Sequence, residues 1–159
     1  MSGVTAAELA GAYELRRFEI HYSDGRLSTE PFGPDARGQL LYAPCGMMSA
    51  MLSRADREAL AVDRLEASAE ASEARKAAAF DSFLSYGGRW SLDRDTVTHH
   101  VQLASVPELV GKAQSRSISL CGEDLTLSYE LEARSGVIRR YELEWRRVPR
   151  RTKTRRSMR

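Results

Sequence analysis

Four residues able to do acid–base or charge-stabilising chemistry stand on stretches that otherwise read as apolar walls: His99, Arg116, Tyr129 and Tyr141. A neutral imidazole kept from water can accept or pass a proton, and a guanidinium flanked by phenol hydroxyls can stabilise a developing oxyanion. Arg116 is the sharper case, because a cation facing an apolar interior must be paired or solvated. A ligand carboxylate or enolate would supply the counter-charge. An ion pair with Asp81, or exposure at a rim, would do so without any ligand. His99 carries two readings as well. It is either a functional imidazole whose charged form desolvation disfavours, or a core histidine satisfied by a tyrosine or a backbone group.

The elements that must position these groups can be read from turn chemistry. Arg134-Ser135-Gly136 has the composition of a three-residue loop ending in a left-handed glycine, which pairs Ala133 with Val137. Leu131 then faces Arg139, Tyr129 faces Tyr141, Leu127 faces Leu143 and Leu125 faces Trp145, while Thr126, Ser128, Glu130, Glu142 and Glu144 point the other way. Gly122-Glu123 suits a two-residue turn pairing Cys121 with Asp124, which sets Ile118 beside Leu127 and Arg116 beside Tyr129. A two-residue closure at Arg94-Asp95 pairs Leu92 with Val97 and Trp90 with His99, on the face of Val101 and Leu103. His100 projects to the opposite face, so the adjacent histidines cannot chelate one ion and no metal site is expected.

The rest of the chain supplies further strands and one helix-rich stretch. Ala12 to Tyr22 reads as a strand whose apolar phase switches between Leu15 and Phe18, implying a bulge near Arg16-Arg17. Gly38 to Ala43 and Met47 to Ser53 read as a hairpin across Pro44-Cys45-Gly46, presenting Tyr42, Met47, Ser49 and Met51 to the interior. From about Arg54 to Tyr86 the texture is rich in Ala, Glu, Arg and Leu without Gly or Pro, which predicts a helical insertion stopped at Gly87-Gly88.

About eight antiparallel strands joined in sequence predict an all-β up-and-down barrel, which removes exposed edges and leaves room for one small ligand. The short turns must share one end, a floor plugged by Leu120, Leu125 and Trp145. The long connections share the other, a mouth bordered by Arg116, Tyr129 and Tyr141, with the helix around Phe80 to Tyr86 as lid or rim. The expected ligand-facing set is Tyr42, Met47, Ser49, Met51, Phe83, Tyr86, Trp90, Val101, Ile118, Leu127, Arg139 and Leu143.

Composition narrows the classes of function. At 159 residues and 42% hydrophobic content, the chain can enclose a core without staples, and no cofactor is needed to explain its folding. No export signal or membrane-spanning run is visible, so a cytoplasmic location is expected. Cys45 and Cys121 lack the spacing of a zinc or disulfide framework. Gly-x-Ser-x-Gly elbows and Gly-x-Gly phosphate loops are absent. The net charge of +2 hides an asymmetry: Pro149 to Arg159 holds six basic residues and no acidic one, leaving 18 basic against 22 acidic elsewhere. Such a tail reads as a solvated end, and without an aromatic stacking platform it argues against nucleic acid as the partner. The expected partner is a hydrophobic small molecule, with homodimerisation open.

Gly11-Ala12-Tyr13-Glu14-Leu15, Pro31-Phe32-Gly33-Pro34, Gly38-Gln39-Leu40-Leu41-Tyr42, Gly46-Met47-Met48-Ser49-Ala50 and Val97-Thr98-His99-His100-Val101, in this order, resemble the bacterial and fungal lipocalin-like domain family. The resemblance covers roughly Leu9 to Val148. It implies a calycin-type barrel with a central pocket, in a family associated with natural-product pathways as tailoring isomerases, cyclases or carriers. It brings no common catalytic set. Tyr13 stands where a Gly-x-Trp motif has tryptophan, and the arginine that commonly packs over that ring is here Arg146 or Arg147. Two expectations follow: a cofactor-independent isomerase or cyclase acting on a polyketide-like substrate, with His99 as acid–base group, or a non-catalytic carrier of an apolar molecule.

Overall fold

In the computed structural model, which describes residues 3–150, eight strands close on themselves in chain order. They are β1 (Gly11–Tyr22), β2 (Arg37–Tyr42), β3 (Met47–Ser53), β4 (Phe83–Asp93), β5 (Thr96–Ala104), β6 (Ala113–Cys121), β7 (Asp124–Glu132) and β8 (Ile138–Arg147). Every neighbouring pair is antiparallel, and β1 with β8 completes the ring. Of the basic tail, residues 151–159 lie outside the described residues. Among the described residues no helix is long and apolar enough to cross a membrane.

The turns set the register as expected. Gly136, in left-handed backbone at φ 81°, lets Ala133 N–H reach Val137 O at 2.9 Å, and from there Leu131/Arg139, Tyr129/Tyr141, Leu127/Leu143 and Leu125/Trp145 pair in turn. Leu120/Leu125 and Ile118/Leu127 pair across the second turn, and Leu92/Val97 and Trp90/His99 across the third. The first strand carries its bulge between Leu15 and Arg17, which moves the inward phase from Tyr13 and Leu15 to Phe18.

Three departures have definable causes. The first concerns β3, where Met48, Ala50 and Leu52 face inward and Met47, Ser49 and Met51 face outward. The loop Pro44-Cys45-Gly46 pairs Ala43 with Met47, so Tyr42 lies opposite Met48 and carries its inward phase to even-numbered residues. In β5, the second departure, an extra residue at Gln102 breaks the register between Gly87 and Gly88 and turns Leu103 out to solvent at 75% exposure.

The third departure is the helical insertion. Only α2 (Glu73–Asp81) is α-helical there, preceded by a 3-10 turn over Leu65–Glu70, and β4 begins already at Phe83. Gly87-Gly88 is therefore mid-strand and stops no helix. A Cβ on Gly88 would stand 2.0 Å from His100 O, so glycine is what allows β4 and β5 to approach at the bulge. No residue of α2 is buried, and Phe80 is half-exposed, so this helix is not a packed lid.

Both ends of the barrel are dressed by other segments. A short helix α1 (Ala6–Leu9), held by a Thr5/Glu8 capping box, drives Leu9 to zero exposure at the short-turn end. Arg147 donates to Ala10 O at 2.8 Å and to Glu8 O, and its guanidinium lies 4.8 Å from the centre of the Tyr13 ring. Arg146 instead pairs with Asp124, so the closing arginine is Arg147. At the long-loop end the β1–β2 connection packs Phe32 against Phe18, 6.1 Å between ring centres.

Candidate functional site

Inside the ring, Leu40 (β2), Ala50 and Leu52 (β3), Leu84 (β4), Leu127 (β7), Leu143 (β8) and Phe18 (β1) build an apolar wall. His99, Tyr86, Arg116, Tyr129 and Trp145 are the polar residues of the lining, and together these residues border a cavity of about 80 Å³. Drug-sized pockets run to roughly 300–1,000 Å³, so this one accommodates only a compact group without rearrangement.

His99 is fully buried, and both of its ring nitrogens are engaged. Nε2 meets Tyr42 Oη at 2.6 Å and Nδ1 meets Tyr86 Oη at 2.9 Å. One nitrogen must therefore donate and the other accept, whichever tautomer is present. Burial, reinforced by the Arg116 charge and then by His100, lowers its pKa from 6.5 to about 3, so the imidazole is neutral. Burial also raises the Tyr42 phenol well above its ordinary value, and raises Tyr86 and Tyr129.

Arg116 is half-buried at the border of the cavity. Its guanidinium lies over the Tyr129 ring at 3.8 Å, and donates to Ser115 O at 2.9 Å and to Gln114 Oε1 at 3.0 Å. Among the described residues no carboxylate forms an ion pair with it. The Asp81 pairing considered from sequence does not form. Arg116 sits just beyond the last β6–β7 pair, Ser117/Ser128, where the two strands part. A groove on the outer surface there shares Arg116 and Tyr129 with the cavity and adds Thr96, Ser115 and the ion pair of Glu130 with Arg140 at 3.9 Å.

The remaining expected site residues divide into four groups. Tyr86, Leu127 and Leu143 join His99, Arg116 and Tyr129 at the cavity. Tyr42, Trp90, Val101 and Ile118 are buried but do not border it, Tyr42 acting through its bond to His99 and Trp90 donating to Ala43 O at 3.0 Å. Tyr141 lies behind Tyr129, stacked at 4.6 Å. Met47, Ser49, Met51, Phe83 and Arg139 are not brought to the cavity. Phase explains the three on β3; Phe83, opposite Ser53, faces the Arg57 guanidinium at 5.1 Å on the outside; Arg139, paired with Leu131 and Tyr22 near the end of the strands, is exposed.

Sequence reasoning missed Phe18, Leu40, Ala50, Leu52, Leu84 and, among polar groups, Trp145. The hairpin rule applied to Pro44-Cys45-Gly46 would have found Ala50 and Leu52. Trp145, expected in the floor, borders the cavity, and its buried indole N–H has no hydrogen-bond partner among the described residues.

The family described as lipocalin-like domain matches residues 10–148, and no curated protein matches the chain.

Proposed function

Because the chain belongs to the lipocalin-like domain family over the whole of its barrel, we propose that it binds a small molecule with a compact apolar body in the central cavity, as a carrier or sequestering protein. The observation that carries this reading is Arg116, a cation at the border of an apolar cavity with no carboxylate partner among the described residues. Exposed free thiols at Cys45 and Cys121 suit the reducing cytoplasm in which we place the protein, as a monomer or a homodimer.

Catalysis as a cofactor-independent tailoring isomerase or cyclase is the second reading, and the hydrogen-bonded chain Tyr42–His99–Tyr86 favours it. A ligand carbonyl taking the Tyr86 proton would draw one from His99, and His99 would draw one from Tyr42. That transfer ends in a buried Tyr42 phenolate, the state its surroundings disfavour most, so the chain serves better as a fixed hydrogen-bonding wall than as a proton source. Carriage is therefore preferred to turnover, and a cavity this size favours a fragment-sized ligand over a whole polyketide.

Native mass spectrometry after incubation with an extract of the host cells tests both readings. The wild-type chain should retain a small molecule that Ala50→Phe, which fills the cavity, does not. Recovery of that molecule unaltered supports carriage, and recovery of a product supports catalysis. Retention by both proteins would place the ligand elsewhere and overturn the proposal.

A further inference from the structure

The polar residues lining the cavity also restrict the chemistry of what it takes, an inference that rests on the binding reading above. His99 has no capacity left, because both of its nitrogens are bonded to tyrosine hydroxyls. Two donors do have capacity. The first is Arg116, which spends two N–H groups on Ser115 O and Gln114 Oε1 and has three of its five remaining. It is open to solvent through the gap where β6 and β7 part after Ser117/Ser128, so a carboxylate there would keep part of its hydration. The second is the Trp145 indole, 2% exposed, whose N–H finds no acceptor among the described residues. A buried donor left unbonded costs roughly 1–3 kcal/mol, which an acceptor brought by a ligand would recover.

These donors stand on different rungs. Trp145 pairs with Leu125, and Tyr129, beneath the Arg116 guanidinium, lies two rungs further along β7, with Leu127 and Leu143 between. The wall between them is apolar. A ligand meeting both therefore carries an anion at one end, a neutral acceptor at the other and hydrocarbon in the middle. A carbonyl fits the inner position better than a hydroxyl, because the Trp145 indole only donates and has no acceptor within bonding distance among the described residues. With about 80 Å³ inside the wall, the inserted part is limited to roughly five heavy atoms.

We propose that the ligand class is a short oxo acid: its carboxylate held by Arg116 in the gap between β6 and β7, its aliphatic body against Leu127 and Leu143, and its carbonyl oxygen accepting from Trp145 Nε1.

Three probes dissect this on the full chain: 5-oxohexanoate, hexanoate, which lacks the ketone, and 2-hexanone, which lacks the carboxylate. Calorimetry should show 5-oxohexanoate binding at least tenfold tighter than either of the others. The chain has two tryptophans, so the indole region of a nitrogen–proton correlation spectrum holds two signals, and Trp145→Phe assigns them. The Trp145 signal should move downfield with both ketones and not with hexanoate, while the Trp90 signal, already bonded to Ala43 O, stays in place. Arg116→Gln should abolish the advantage of 5-oxohexanoate over 2-hexanone and leave 2-hexanone binding intact. Wild-type protein that binds 2-hexanone as tightly as 5-oxohexanoate, or whose Trp145 signal ignores both ketones, overturns the oxo-acid class while leaving a binding cavity in place. Failure of all three probes to perturb any cavity residue overturns the cavity reading along with it.

Discussion

A histidine forced to stay neutral leaves a signature in stability. Because the His99 pKa is about 3 in the folded protein against 6.5 for an unperturbed imidazole, the unfolded chain binds the extra proton first as pH falls. Its contribution is complete above about pH 6.5 and is lost progressively on acidification toward pH 3, at about 1.4 kcal/mol per pH unit. Between about pH 6.5 and 5, before carboxylates titrate, we expect a loss of roughly 2 kcal/mol, seen as a falling urea midpoint. His99→Asn should flatten that slope; an equally steep slope in the variant would assign it to other groups. Arg116 acts on the same imidazole through space. Its removal in Arg116→Gln should raise the His99 pKa without restoring 6.5, since burial is the larger cause, and a proton-resonance titration of the ring reads this directly.

At the scale of elements, the strands were legible wherever a turn counted the residues. The hairpins closing at Gly136, Gly122 and Arg94-Asp95 gave their partners correctly because a two- or three-residue loop leaves one register open. On β3 the same rule was available, and an apolar texture on both faces, Met47 and Met51 on one and Met48 and Leu52 on the other, concealed which phase was inward. The start of β4 was not legible. Phe80, Phe83 and Leu84 satisfy a helical stripe as well as a strand, and only pairing with β3 through Ser53/Phe83 and Leu52/Leu84 decides between them. The β5 bulge was equally hidden, since nothing local to Gln102 marks it, and the orphan indole of Trp145 depends on long-range packing. This division predicts mutational costs. Leu84→Ala should destabilise by about 2–3 kcal/mol, whereas Phe80→Ala on the half-exposed α2 should stay within about 0.5 kcal/mol. Reversed magnitudes in chemical denaturation would restore α2 as a packed lid. Gly88→Ala should cost more than either, because its Cβ meets a backbone carbonyl that belongs to the bulge itself.

For the molecule as a whole, closure is the decisive event, because β1 must find β8 across the length of the chain before any interior exists. Two devices sit at that seam. Leu9 seals the floor, and Arg147 on β8 ties the segment carrying Leu9 to the barrel by bonding Glu8 O and Ala10 O and covering Tyr13. Leu9→Ala leaves a void at a position with no exposure, and should cost about 2–5 kcal/mol. Arg147→Met keeps the aliphatic stem and loses the two carbonyl bonds, for which about 1–2 kcal/mol is expected. The two losses should not add. Once Arg147 no longer holds α1 against the floor, that segment detaches more readily and Leu9 has less burial to lose, so the double variant should be more stable than the sum of the single losses predicts, by roughly 0.5–2 kcal/mol. Denaturation midpoints of the four proteins form the required cycle. Strict additivity would mean that Leu9 packs independently of the arginine, and that the floor and the seam are separate structures instead of one clasp.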